Sequence, residues 1–206
     1  MALCEKLIQG CISASCENPI YAGVDSVAYI FNRSEIDLVA TEASSNKDAS
    51  NPNIYKEIIM KEVSEGVNYT GYKIQQLGKT PFTGTQVEMT EGNTQNKFTN
   101  TLSFIVPDNS PAASLVLDSL ANGKFVVVFS NEYNGSDGRG KFQIVGMKKG
   151  LTASAMVCEK YSEDTDGGYQ VTLTEEGCPS AALFLEHKTG TDVDTAEYLE
   201  TITDCE

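Results

Sequence analysis

Short apolar runs with strand-like spacing dominate the chain. Residues 24–31 (VDSVAYIF) are rich in β-branched and aromatic side chains and predict a strand, with a turn at 32–34 and a short second strand at 36–39. Alternation is clearest over 96–106. There Phe98, Leu102, Phe104 and Val106 share one face and Thr99, Thr101 and Ser103 the other. Residues 54–63 fit a partial helical period and also an alternation through Ile54, Ile58 and Met60; strand is the preferred reading. Further strands are predicted at 69–76, 85–90, 152–161, 169–174 and 182–186, with a turn at 77–84. The near-continuous apolar run at 124–130 (KFVVVFS) predicts a central, buried strand pairing with 141–147 across the loop 131–140. The sequence EDTDGG at 163–168 signals a hairpin.

Clear helix signals occur only around 110–122. Asn109 or Ser110 can cap the start, Pro111 suits the first turn, and Gly123 suits the position just past the end. Leu115, Leu117, Leu120 and Ala121 form an apolar stripe. A helix of about three turns is marginal alone, so it must pack on a sheet. Two stretches lack apolar periodicity. Residues 41–53 (TEASSNKDASNPN) read as a long polar loop, functional or linking, mobile in the isolated subunit and ordered on assembly. Residues 189–206 read as a polar, acidic C-terminal extension with one apolar cluster at Tyr198, Leu199 and Ile202. The expectation is one mainly β domain over 1–206: a β-sandwich or barrel of about ten strands with one short flanking helix.

Composition supports folding: 206 residues, 40% hydrophobic and 21% charged, enough for one sizeable core or two small ones. No run of about 18 apolar residues offers a membrane-spanning helix. Glu5 and Lys6 interrupt the first ten residues, so no secretory signal is expected. Residues 7–11 only faintly resemble a lipoprotein cleavage box, which Gln9 fits poorly. Cytoplasmic synthesis and folding follow as the expectation.

The six cysteines (Cys4, Cys11, Cys16, Cys158, Cys178, Cys205) contain no C-x-x-C pair, and His187 is the only histidine. Zinc-ribbon and thioredoxin readings therefore fail, and thiols are expected in a reducing cytoplasm. The formal net charge of -14 argues against a nucleic-acid reader, which needs basic groups for phosphate contacts. An acidic surface either serves solubility or lets DNA pass without adhering.

Sites for chemistry are scarce. Glu132, Asn134 and Asp137 offer oxygens in the loop 131–140, without EF-hand spacing. Gly135, Gly138 and Gly140 lead into a strand, whereas phosphate cradles lead into a helix. Glu163, Asp164 and Asp166 are turn acids with no tryptophan platform. His187 has no nucleophile motif and reads as a surface residue. Gly146 and Gly150 mark a bulge or turn. No catalytic, cofactor-binding or metal residue is assigned.

The order of elements resembles tail-tube (major tail) proteins of long-tailed bacteriophages, of the kind encoded by phages and prophages of Bacteroides-like gut bacteria. The residues that carry the likeness are 122–128 (NGKFVVV), 142–146 (FQIVG) with Gly150 and Leu151, and 168–174 (GYQVTLT). The opening 11–24, with Asn18, Pro19, Ile20 and Gly23, adds to it. The resemblance implies a non-enzymatic virion structural protein, made and assembled in the host cytoplasm. It implies self-assembly into stacked rings, usually hexameric, with other tail proteins as further partners and no cofactor or membrane. Inner strands of neighbouring subunits would join into one barrel lined by acidic and polar residues, through which DNA passes without specific binding. Acids on or beside strands and hairpin turns, Glu88, Glu91, Glu159 and Glu163, are the candidates to face that lumen. The loop 41–53 would be available for ring-to-ring contact. The alternatives are another virion component (a head–tail connector, ring or cargo protein), a secreted β-sandwich adhesin module, and a hydrolase.

Overall fold

The computed structural model describes residues 22–204, apart from 77, 79, 94, 136, 137, 190 and 191. The chain is mainly β, in open sheets and not a closed barrel, with more strands than the sequence pattern predicts because several are two- or three-residue stubs. A seven-stranded sheet runs in the order β15 (Thr203–Asp204), β5 (Gly71–Gln75), β1 (Val24–Asn32), β8 (Phe125–Asn131), β9 (Phe142–Val145), β12 (Leu183–Leu185), β2 (Ile54–Tyr55). A four-stranded antiparallel sheet runs β10 (Thr152–Cys158), β11 (Tyr169–Cys178), β7 (Lys97–Val106), β6 (Gln86–Thr90). Two small hairpins complete the strands: β3 (Glu62–Ser64) with β4 (Val67–Asn68), and β13 (Lys188–Thr189) with β14 (Asp192–Val193).

The seven-stranded sheet is the middle layer, with a hydrophobic core on each face. Phe125, Val127 and Phe129 of β8 join Ala28 and Ile30 of β1 in one core, facing Leu102, Phe104, Val171 and Leu173 of the four-stranded sheet. Val126 and Val128, with Tyr29 and Phe31, point the other way into a second core with Ile36, Tyr55, Ile58 and Leu199. This explains the unbroken apolar run in β8: both of its faces are buried, so alternation carries no advantage. Gln76 fastens the layers together. Its side-chain amide donates to the Ile105 carbonyl and accepts from the Ile105 N–H, both at 2.8 Å, as a neighbouring strand would.

Helix α2 (Pro111–Asn122) lies where the sequence places it. Its Ser110 cap accepts from the Ala113 N–H at 3.2 Å. The buried stripe is Ala113, Leu117 and Leu120; Leu115, read as part of it, is 69% exposed. Gly123 follows the helix with φ -86, outside the left-handed region. A Cβ there would lie 2.1 Å from the Phe125 ring, so close approach is what requires glycine.

Several expectations are corrected. Residues 41–53 fold against the core. Helix α1 (Leu38–Glu42) takes the second half of the predicted strand 36–39, capped by Asp37 accepting from the Val39 and Ala40 N–H groups. Thr41 and Asn46 are buried, and Asn46 donates to the Glu57 carbonyl at 2.7 Å. The predicted strand 54–63 is broken: only Ile54–Tyr55 and Glu62–Ser64 pair in strands, with an isolated bridge from Ile36 to Met60. The C-terminal stretch also docks. Helix α3 (Thr195–Thr201) buries Leu199 completely, and β15 pairs in parallel with β5. Its N-terminal Asp194 makes no side-chain cap.

Candidate functional site

Among the described residues, the four-stranded sheet presents a face that the sandwich leaves uncovered. Register alternates along β7, so Leu102 and Phe104 enter the core while Thr99, Thr101, Ser103 and Ile105 face outward. Level with these, Gln170, Thr172 and Thr174 of β11, Thr152, Ala155 and Val157 of β10, and Gln86, Glu88 and Thr90 of β6 point outward too. These outward side chains are half-buried or exposed, Ser103 alone excepted. The result is a threonine-rich polar sheet surface.

Both edges of this sheet are open among the described residues. β6 pairs only with β7, and β10 only with β11. Every residue of β6 is exposed. Helix α2 packs against β10 yet leaves that strand half-buried or exposed throughout. The edges are also staggered. Strand β10 lies level with residues 101–106 of β7, and β6 with residues 97–101, so they share only the row Thr152, Thr174, Thr101, Gln86.

The four candidate acids do not converge. Glu88 lies on the outward face, paired with Thr99 across β6 and β7. Glu91 sits just past β6 beside a polar cleft of about 540 Å³, which Lys97, Lys149 and Glu176 also line. Glu159 and Glu163 lie in the β10–β11 connection, at the diagonally opposite corner of the sheet, beyond the Cys158–Tyr169 pair. All four are exposed. The acids therefore concentrate at the two ends of the face, at one of them beside Lys97 and Lys149. Glu176, which the sequence reading passed over, is exposed at the same end as Glu91; alternation along β11 was the signal available for it.

Behind this sheet, Glu175 points inward and is buried. It accepts from the Gly146 N–H at 3.0 Å, the Lys149 N–H at 2.7 Å and Asn100 Nδ2 at 3.1 Å. One carboxylate thus pins the tight turn 146–150 to β11 and β7. Gly146 (φ 87) and Gly150 (φ 90) give that turn its left-handed corners, as the sequence anticipates. Cys178 is buried nearby, and burial pushes its thiol pKa up, which disfavours a reactive thiolate. Of the other cysteines, Cys158 is a half-buried free thiol, and Cys4, Cys11, Cys16 and Cys205 lie outside the described residues.

On the far side of the molecule, ionic clusters lock 41–53 in place. Lys148 Nζ reaches Glu42 at 2.7 Å and the Tyr55 hydroxyl at 3.0 Å, Lys47 Nζ reaches Glu42 at 2.6 Å, and Tyr55 donates to Glu42 at 2.8 Å. Burial works against an ionised Glu42, but the Lys148, Lys47 and Tyr55 donors outweigh it and hold its pKa down at about 2. Arg139 bridges Asp48, at 2.6 Å, and Glu186.

Asp137 lies outside the described residues, and Glu132 packs beneath Gly23. His187, expected at the surface, is half-buried and stacks on Tyr198 at 4.2 Å between ring centroids. Among the described residues no three His, Cys, Asp or Glu side chains gather where they could hold a metal ion. No described helix is long and apolar enough to cross a membrane.

Comparison with protein-family models, with curated proteins and with solved structures found no match to this chain.

Proposed function

We propose that this chain is a virion structural subunit that assembles with copies of itself into stacked rings, forming a phage tail tube whose channel DNA crosses. The observation that carries the reading is the four-stranded sheet: one face bare and polar, both edges open. A free edge exposes unpaired backbone N–H and C=O groups and is a template for another chain. A wall of threonines offers little to a passing duplex, and the carboxylates at the Glu159–Glu163 end repel its phosphates at short range, while at the other end Lys97 and Lys149 offset Glu91 and Glu176. The channel is thus polar along its wall and acidic at one rim. With six copies, the number the family resemblance implies, twenty-four strands would line it.

Ring-to-ring contact shifts to a different segment in this reading. Residues 41–53 are anchored to the core through Thr41 and Asn46. The hairpin of β3 and β4 stands free instead: every residue from 61 to 70 is exposed, including Val63, Val67 and Tyr69. It is the arm available for stacking.

Negative-stain electron microscopy of the purified protein over a range of concentration and salt tests the proposal. Rings or tubes with an open centre are the expected result. A stable 22.3 kDa monomer under all conditions overturns it. Glycan binding by that monomer would move the reading to an adhesin, and solid oligomers without a channel to another virion component.

A further inference from the structure

We infer that β6 of one copy pairs antiparallel with β10 of a second copy, in the register that sets Glu88 opposite Ala155. The inference rests on the self-assembly proposed above and specifies its joint.

Strand direction comes first. All three pairings in the four-stranded sheet are antiparallel, so β6 and β10 run in opposite directions. Rotating a second copy about an axis along the sheet brings its β10 beside β6, still antiparallel, and the alternation continues through the joint.

Side-chain parity decides which residues can meet. Val87 is level with Asn100 and Met89 with Phe98, so both point to the core side. Yet they stay 41% and 62% exposed, at the open margin of the sandwich. On β10, Ala153 and Met156 point to the core side and pack at its border. Pairing in phase sets Val87 beside Met156 and Met89 beside Ala153, covering two exposed apolar side chains. A one-residue slip turns both into the channel.

Strand length then leaves one register. Strand β6 has five residues, and β10 has seven with a bulge between Ala153 and Ala155. Two registers give all five residues of β6 a partner, and one of them is out of phase. The in-phase register pairs Gln86 with Val157, Val87 with Met156, Glu88 with Ala155, Met89 with Ala153 and Thr90 with Thr152. It steps each copy by four residues of β7 over four strands. At about 3.3 Å per residue and about 4.8 Å per strand, that is a tilt of about 35°, at the edge of the range closed barrels adopt. The stagger that looks ragged in one copy is the shear a ring requires.

The test is a cysteine pair in the full chain. Residues directly opposite on neighbouring antiparallel strands have Cβ atoms about 4.5–5.5 Å apart, close to disulfide reach, and diagonal neighbours lie about 7–8 Å apart. Glu88→Cys with Ala155→Cys, oxidised under assembly conditions, should give a ladder of covalent multimers. Mass spectrometry should map the link to 88 and 155, at least tenfold above either single variant. Glu88→Cys with Val157→Cys should give little. Thr90→Cys with Thr152→Cys reads the same register if the first pair folds poorly. Rings or tubes that form without a link at either pair overturn the register and leave the assembly standing. Absence of any particle from the unmodified chain overturns both.

Discussion

The two large sheets treat their boundaries in opposite ways. The seven-stranded sheet is covered on both faces, and its outermost strands, β15 and β2, are two-residue stubs. Among the described residues the four-stranded sheet is covered on one face, and its outermost strands run five and seven residues. Short edge strands are a usual means of preventing unwanted pairing. The chain applies it to one sheet and not the other. One sheet is finished within the subunit and supplies the stability; the other is left incomplete and is the one we propose for contact between copies.

Substitutions should separate these roles. The largest loss is expected in the finished sheet. Phe129→Ala, at a side chain 2% exposed between the layers, should cost about 3–5 kcal/mol, read as a lowered denaturation midpoint. An unchanged midpoint would show that β8 is not the centre of the fold. Next is the fastening between sheets. Gln76→Ala leaves the Ile105 N–H and carbonyl without their partner and should cost about 2–3 kcal/mol.

Glu42→Gln should cost less, on the order of 1–2 kcal/mol at neutral pH, since the cluster is partly solvated. Its pH dependence is the sharper readout. Folding lowers the Glu42 pKa from 4.5 to about 2, so its contribution is full above pH 4.5 and fades as pH falls toward 2. The gap in stability between Glu42→Gln and the unmodified chain should therefore close across that window. The smallest effect on stability belongs to the open edge. Met89→Lys should change the midpoint by no more than about 0.5 kcal/mol and still prevent assembly, because it sets a charge where a neighbour must pack. A large loss of stability there would mean that β6 belongs to the core.

How much of this was legible in the sequence followed the range of the interactions involved. Strands β7, β8 and β11 and helix α2 announce themselves through alternation, continuous apolarity and a Ser-Pro start, all local signals. The bare outward face was visible as well, in Thr99, Thr101 and Ser103. Residues 41–53 were not legible as structure. Their order comes from Lys148 and Arg139, about a hundred positions away, whose pairing with Glu42 and Asp48 leaves no trace in a short window. Helix α3 was hidden because its apolar cluster at Tyr198, Leu199 and Ile202 spans little more than one turn. Of the acids, Glu88 could be placed on a face by alternation, whereas the position of Glu91, Glu159 and Glu163 at opposite ends depends on the stagger of strands distant in sequence.

Gln76 has a consequence for how this sequence can drift. Its amide reads only the backbone of Ile105, and any residue except proline supplies the same N–H and carbonyl there. Position 105 is free to vary as long as it keeps that N–H, whereas position 76 needs a side chain that is donor and acceptor at once and of one length. Asparagine would fall one carbon short and glutamate could only accept. As descendants of this chain diverge, the glutamine should persist opposite a changing partner, and an alignment of pairwise co-varying positions would miss the tie between the two layers.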